Sequence, residues 1–90
     1  MTLDEQSFRG SSVAFVRQTP AEQTAGAVRA ELARRRISGR QLAESLGWPI
    51  STTARRLNGQ YPFDVEQLSA IAEHIEVPVW IFLPDRDSAA

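Results

Sequence analysis

The sequence predicts an all-α domain of about five short helices, with a helix-turn-helix at its centre and an irregular segment at its N-terminus. Three observations favour this class. Apolar residues recur at the three- and four-residue spacing that lines one face of a helix. Residues that cap helices stand at the start of several of these segments, and glycines follow two of them. The one strand-like run, residues 12–16, has no visible partner strand.

The amino-acid composition excludes several kinds of site and several classes of protein. Ninety residues suffice for one modest core, and the 42% apolar and 23% charged fractions are those of an ordinary globular domain. Cysteine is absent and His74 is the only histidine, so we expect no disulfide, no metal and no cofactor. No apolar run is long enough to cross a bilayer, and we do not expect a signal peptide, because no positive region precedes an apolar run at the N-terminus. A cytoplasmic protein that does not bind membranes is expected.

The first eighteen residues show no helical period, and Gly10 lies among serines in a composition typical of a flexible segment. We therefore expect residues 1–18 to form a partly ordered tail. An alternative is that Phe15 and Val16 pack on the domain or across a dimer.

The residues Thr19 to Glu22 strongly predict the start of the first helix. Thr19 is the cap, Pro20 takes the first helical position and Glu22 takes the third. Its buried face is predicted to continue to roughly Arg36. The apolar residues on that face are Ala25, Val28 and Leu32.

Two short helices joined by a tight turn are predicted between Ile37 and Gly59. In the first, Ser38 and Gln41 can form a capping box, and Gly47 ends the helix in the left-handed conformation. Its apolar face comprises Leu42, Ala43 and Leu46. The second is expected over residues 51–58, with Ala54 and Leu57 facing inward, Arg55 and Arg56 facing outward, and Gly59 as its end.

A fourth helix follows Asp64, which can cap it together with Gln67, while Phe63 can contact Leu68 in a hydrophobic staple. Its core face is predicted to contain Val65, Leu68, Ile71, Ala72 and Ile75.

A last short helix after Pro78 carries five consecutive apolar residues, 79–83. One turn cannot bury them all, so an apolar surface patch is expected at Trp80, Ile81 and Phe82. We favour a symmetric dimer contact there. The alternative is that the N-terminal tail covers the patch through Phe8, Val13 and Phe15. The domain should span residues 19–84, with 85–90 frayed.

The ordered set Leu42-Ala43, Leu46-Gly47, Ser51-Thr52 and Arg55 to Gly59 resembles the xenobiotic-response-element family, which includes the lambda repressor and Cro proteins. The likeness covers roughly residues 20–84. Three positions depart from it. Pro49 stands in place of a Ser or Thr cap, Thr53 replaces the usual Val or Ile, and Arg56 occupies an inward-facing position before Leu57. The resemblance implies a lambda-repressor-like bundle whose second motif helix lies in the major groove of DNA.

The resemblance also implies site residues. Helix-turn-helix proteins bring the N-terminal residues of the second helix to base edges. The expected base contacts are Ile50, Ser51, Thr52 and Arg55, and the expected backbone contacts are Arg36, Arg40, Gln41, Arg56 and Asn58. Two tail arginines, Arg9 and Arg17, offer an alternative contact as an arm in the minor groove.

Charge is polarised along the chain, although the net charge is only −1. Residues 19–63 contain seven arginines and three glutamates, whereas residues 64–90 contain six acidic residues and one arginine. A basic half can therefore face phosphates while an acidic half faces away. This distribution supports double-stranded DNA as the partner.

The leading hypothesis is a sequence-specific transcriptional regulator, a repressor of phage or bacterial type that acts as a homodimer. The alternative is a protein-interaction module on the same fold, such as an antitoxin or phage accessory protein, that binds a partner through the C-terminal apolar patch. An enzyme is not supported, because the chain has no nucleophile motif and no glycine-rich phosphate loop.

Overall fold

The computed structural model describes residues 18–84 of the chain. Helix α1 spans Pro20–Arg34, α2 spans Gly39–Leu46, α3 spans Ile50–Leu57 and α4 spans Val65–Ile75, followed by a 3₁₀ helix at Val79–Phe82. These residues contain no strand, so the predicted all-α class with a central helix-turn-helix is confirmed. The predicted tail, apart from Gln18, and the predicted frayed end at residues 85–90 lie outside the described residues.

Three of the α helices begin with a complete capping box, as predicted from their sequences. In each box the cap side chain accepts the N–H of the third helical residue, whose own side chain accepts the N–H of the cap. The pairs are Thr19 with Glu22, Ser38 with Gln41, and Asp64 with Gln67. Helix α3 is different, because it follows Pro49 and has no side-chain cap.

The four α helices within residues 18–84 end in the same way, with one residue at positive φ followed by an N–H that donates to a carbonyl five residues back. The positive-φ residues are Arg36 (56°), Gly47 (72°), Gly59 (86°) and Glu76 (63°). The donor–acceptor pairs are Ile37 to Leu32, Trp48 to Ala43, Gln60 to Arg55, and Val77 to Ala72, at 2.9–3.0 Å. This is the Schellman arrangement. Helix α1 therefore ends at Arg34, two residues before the predicted end at roughly Arg36, because Arg36 adopts the left-handed conformation that turns the chain.

The core lies where α1 meets α3 and where the 3₁₀ helix packs against α1 and α4. Its largest fully buried side chains are Phe82, Leu42, Ile71 and Val28. Two predictions are wrong here. Phe82, expected on the surface patch, is completely buried because the 3₁₀ helix turns it between α1 and α4. Val65, expected in the core, is 75% exposed, because nothing in residues 18–84 covers that side of the first turn of α4.

None of the helices within residues 18–84 is both long and apolar enough to cross a membrane.

Candidate nucleic-acid interface

Helices α2 and α3 form the central motif and pack more extensively against each other than any other pair of elements. Ala43 is fully buried on α2. At the N-terminus of α2, a Cβ on Gly39 would lie only 2.7 Å from Cδ1 of Leu57 on α3. The absence of a side chain at Gly39 is therefore what lets the start of one helix approach the end of the other. This close packing sets the orientation of α3.

The inner side of α3 is formed by Thr53 and Leu57, four residues apart and both buried. The Thr53 hydroxyl Oγ1 donates to the Pro49 carbonyl oxygen at 2.8 Å, so this buried polar group has its partner. Thr53 thus takes the inward position that the family resemblance assigns to Val or Ile. The prediction that Ala54 faces inward is wrong, because Ala54 is exposed. The phase set by Thr53 and Leu57 turns Ala54 toward solvent.

The outer side of α3 presents Ser51 and Arg55. Successive side chains are rotated by about 100° around the helix axis. Arg55 therefore points about 180° away from the midpoint between Thr53 and Leu57, and Ser51 lies about 40° from Arg55. Both side chains are exposed. Among residues 18–84, no hydrogen-bond or ion-pair partner is found for the Arg55 guanidinium. Within the described part of the chain, this long cationic side chain with five donors therefore projects from the helix without a partner.

The other predicted base contacts lie on the flanks of this face. Thr52 is partly buried, and Ile50 is 40% exposed at the first residue of α3. Ile50 points about 140° from Arg55 around the axis, so these two cannot reach the same base. Ala54 lies between Ile50 and Ser51 on the exposed side. Sequence reasoning missed Ala54 as a surface residue, although the four-residue spacing of Thr53 and Leu57 contained the signal.

Arg56 and Asn58, two predicted backbone contacts, are engaged within the domain. The Arg56 guanidinium donates to the Pro62 carbonyl oxygen, and Arg56 is partly buried. The Asn58 side-chain oxygen accepts the Gln60 N–H at 3.2 Å. Both contacts shape the loop that follows α3.

Arg29 has a role that sequence reasoning missed. Its guanidinium donates to the Leu57 carbonyl oxygen and joins α1 to the last turn of α3. Carbonyls at a helix C-terminus lack intrahelical donors and carry partial negative charge, so a cation is favourable there. The two residues are 28 positions apart in the sequence, so no local sequence pattern predicts this contact.

Two of the three consecutive arginines at the end of α1 bind the same carboxylate. Glu31 forms ion pairs with Arg34 and Arg35, the latter at 2.7 Å. The hydrogen bond from Arg35 and the charges of both arginines hold the pKa of Glu31 below its ordinary value, against the opposing effect of desolvation. Arg36 is exposed, and its side chain has no partner among residues 18–84.

Arg40 and Gln41, the remaining predicted backbone contacts, lie in the first turn of α2 and are exposed. Arg40 forms an ion pair with Glu44 at 3.3 Å that is open to solvent on both sides. The Gln41 side-chain oxygen accepts the Ser38 N–H at 2.8 Å. Because the capping box uses only this oxygen, the two amide protons of Gln41 remain available to an acceptor.

The C-terminal patch is smaller than the sequence indicated. Trp80 is 68% exposed and Leu83 is 51% exposed. Ile81 is partly buried against the core and Phe82 is completely buried. Trp80 and Leu83 are therefore the large apolar side chains that this segment offers to a partner.

No group of three or more His, Asp or Glu side chains able to hold a metal ion occurs within the described residues.

Comparison with solved structures finds two chains of similar fold. The chain is similar to the S. venezulae BldD DNA-binding domain, with a TM-score of 0.63 and 24% identity over 72% of this chain and 97% of that one. A crystal structure of the DNA-binding domain of BldD gives the same TM-score and identity, over 72% of this chain and 94% of that one. At this identity the likeness establishes the fold. No match was found among curated proteins.

A family model gives the assignment directly, because the model of the BetR domain matches residues 20–90 and so covers all five helical elements described above. The chain therefore belongs to the BetR domain family of helix-turn-helix DNA-binding domains.

Proposed function

We propose that the chain is a sequence-specific, double-stranded DNA-binding transcriptional regulator of repressor type that reads the major groove with α3. The observation that carries this proposal is the exposed face of α3, where Ser51 and Arg55 lie opposite the buried Thr53 and Leu57. The family assignment and the BldD DNA-binding domains of similar fold support it. The resemblance to lambda repressor and Cro proteins suggests the same mode of docking.

Base reading in this proposal rests on Arg55. Its guanidinium can donate two hydrogen bonds to O6 and N7 of guanine, a contact that discriminates by about 1–3 kcal/mol against other bases. Ser51 and Thr52 can hydrogen-bond to bases or phosphates. Ala54 or Ile50 can contact a thymine methyl group, on the side of α3 away from Arg55. These contacts read different base pairs, because the side chains point in different directions.

Contacts with phosphates position the helix without reading sequence. Arg36, Arg40 and the free amide protons of Gln41 are exposed beside the motif and suit this role. Arg56 and Asn58 can contribute only by giving up or sharing their bonds within the domain. Arg36 is the best placed for a phosphate contact, since no residue among 18–84 pairs with its side chain.

The homodimer remains part of the proposal. A two-fold dimer would present two α3 helices to half-sites roughly 34–36 Å apart, one turn of duplex. Trp80, which is 68% exposed, is the apolar side chain on which such a contact can form. Occupying promoter DNA in this way blocks transcription by exclusion.

Two arginine variants test the division of roles. Arg55→Ala should lose discrimination between a preferred site and a variant with the contacted guanine replaced, by about 1–3 kcal/mol. Arg36→Ala should weaken all duplexes alike and reduce the salt slope of log K by about 0.9, the value for one phosphate contact. Fluorescence anisotropy titrations at several salt concentrations measure both quantities.

Thermal unfolding of each variant provides the control, since both side chains are exposed and should leave stability nearly unchanged. Equal losses of discrimination from Arg55→Ala and Arg36→Ala would refute the assignment of base reading to Arg55.

The second candidate function is a protein-interaction module, favoured by the exposed Trp80 and by the exposed acidic residues Glu73 and Glu76 that precede it in the sequence. The test compares a wild-type bait with Trp80→Ser; Phe82 is unsuitable, because its replacement would open the core. A specific protein partner lost from Trp80→Ser, together with no duplex binding by the wild type, would favour this function. Duplex binding that both baits share would favour DNA reading.

A further inference from the structure

A small apolar groove lies on the domain where α1 begins, α4 begins and the described chain ends. It encloses about 230 Å³ and is lined mainly by Pro20, Pro62, Phe63, Val65, Leu68 and Leu83. Two of these residues, Val65 and Leu83, are 75% and 51% exposed. None of the lining residues carries a charge. The groove is distinct from the exposed face of α3.

The size of the groove restricts its occupant. Small-molecule and cofactor sites usually enclose roughly 300–1,000 Å³ and contain a few polar groups that orient the ligand. A groove of 230 Å³ that is lined by no charged side chain is smaller than such a site and has the dimensions to take one or two apolar side chains.

The chain carries such side chains immediately before the groove. Residues 13–16 read Val-Ala-Phe-Val, and Phe15 precedes the groove residue Pro20 by five positions. An extended chain spans roughly 3.3–3.6 Å per residue, so this separation corresponds to about 17 Å, enough to bring Phe15 back over the groove. Closing so short a loop loses little entropy. The C-terminal residues 85–90 also begin beside the groove, but they contain no large apolar residue.

We propose that Phe15, with Val13 and Val16, fills this groove in the same molecule and covers Val65 and Leu83. An intramolecular segment acts at an effective concentration in the millimolar range, which favours it over the same segment of a second copy. The contact ties the N-terminal segment to α1 and α4 and leaves the exposed face of α3 free.

Nuclear Overhauser effects in the isotope-labelled full-length chain test the proposal. We expect cross-peaks between the Phe15 ring and the methyl groups of Val65 and Leu83, and the same cross-peaks should be absent from a filtered experiment on an equimolar mixture of labelled and unlabelled protein. Amide exchange of residues 13–16 should be about tenfold slower than in Phe15→Ala. Phe15→Ala should also shift the Val65 and Leu83 methyl resonances.

Phe8→Ala is the matched control, because it removes an aromatic ring from the same segment farther from Pro20; it should leave those methyl resonances in place. Neither variant alters a residue of the described core, so both should fold. Missing Phe15 cross-peaks, or equal shifts from Phe8→Ala and Phe15→Ala, would overturn the proposal. Cross-peaks in the mixed sample would also overturn it and assign the groove to a second copy.

Discussion

Individual arginines in the basic half of the chain have very different roles, although their formal charges are equal. Arg34 and Arg35 bind Glu31, and Arg40 pairs with Glu44. Arg29 and Arg56 donate to backbone carbonyls of the domain itself. Among residues 18–84, this leaves the side chains of Arg36 and Arg55 without a partner. Formal charge along the sequence therefore overstates the positive charge that is free to meet phosphates.

Arg29 provides a first prediction at this scale. Arg29→Met keeps much of the apolar stem but removes the donor to the Leu57 carbonyl, so the free energy of unfolding should fall by about 1.5–3 kcal/mol. Chemical denaturation measures this change. Arg36→Met is the matched control and should alter stability by less than about 0.5 kcal/mol. Equal stabilities of the two variants would show that the contact of Arg29 with Leu57 contributes nothing.

Glu31 provides a second prediction, through its lowered pKa. Because the folded-state pKa lies below the ordinary value of 4.5, the carboxylate stabilises the fold above that pH, and the contribution is lost as the pH falls through the folded-state pKa. The wild type should therefore be more stable than Glu31→Gln at neutral pH, and the difference should vanish in acid. Denaturation of both proteins over this range measures it. A stability difference between the two proteins that grows toward acid pH would contradict a lowered pKa of Glu31.

The helices show which local signals are readable from sequence. The three capping boxes were predictable, because each needs only two side chains three residues apart. The glycine ends at Gly47 and Gly59 were also predictable, because a glycine after a helical run commonly takes the left-handed conformation that ends a helix. The matching ends at Arg36 and Glu76 were not, because a long polar side chain seldom adopts positive φ. Their remaining signal is the apolar residue that follows each, Ile37 and Val77, which packs on the core.

Two glycines test this view of the helix ends. Gly47→Ala places a side chain at φ 72° and should destabilise the domain by about 1–2 kcal/mol, although no neighbour stands within 4 Å of the new Cβ. Gly26→Ala lies inside α1, where the nearest atom is 3.6 Å from the new Cβ, and should stabilise by about 0.5–1 kcal/mol. Denaturation midpoints of the two variants should move in opposite directions. Equal shifts of the two midpoints would show that backbone conformation at Gly47 does not cause the loss of stability.

Across the whole molecule, the fold class was predictable and the burial of particular side chains was not. Helix type and start depend on neighbouring residues, which the sequence displays. Burial of Phe82 depends on the 3₁₀ helix packing against α1 and α4, and exposure of Val65 depends on what lies beside α4. Exposure of Ala54 depends on the rotation of α3 against α2. Each of these depends on how separate elements pack against one another in three dimensions.

The same limit applies to the candidate site. The exposed Arg55 agrees with its predicted outward position, since a helix period suffices to find it. The engagement of Arg56 with Pro62 and of Arg29 with Leu57 required the folded geometry. The proposed DNA interface therefore centres on fewer side chains than the sequence suggested.

In vitro selection from a random duplex DNA pool, at a stated salt concentration, tests the central claim most directly, because phosphate contacts alone would bind all duplexes alike. We predict enrichment of a two-fold symmetric site whose half-sites are about one helical turn apart and contain a guanine that Arg55→Ala no longer selects. Enrichment of a single half-site would retain base reading and remove the dimer. A pool without enrichment would contradict the claim that α3 reads DNA sequence.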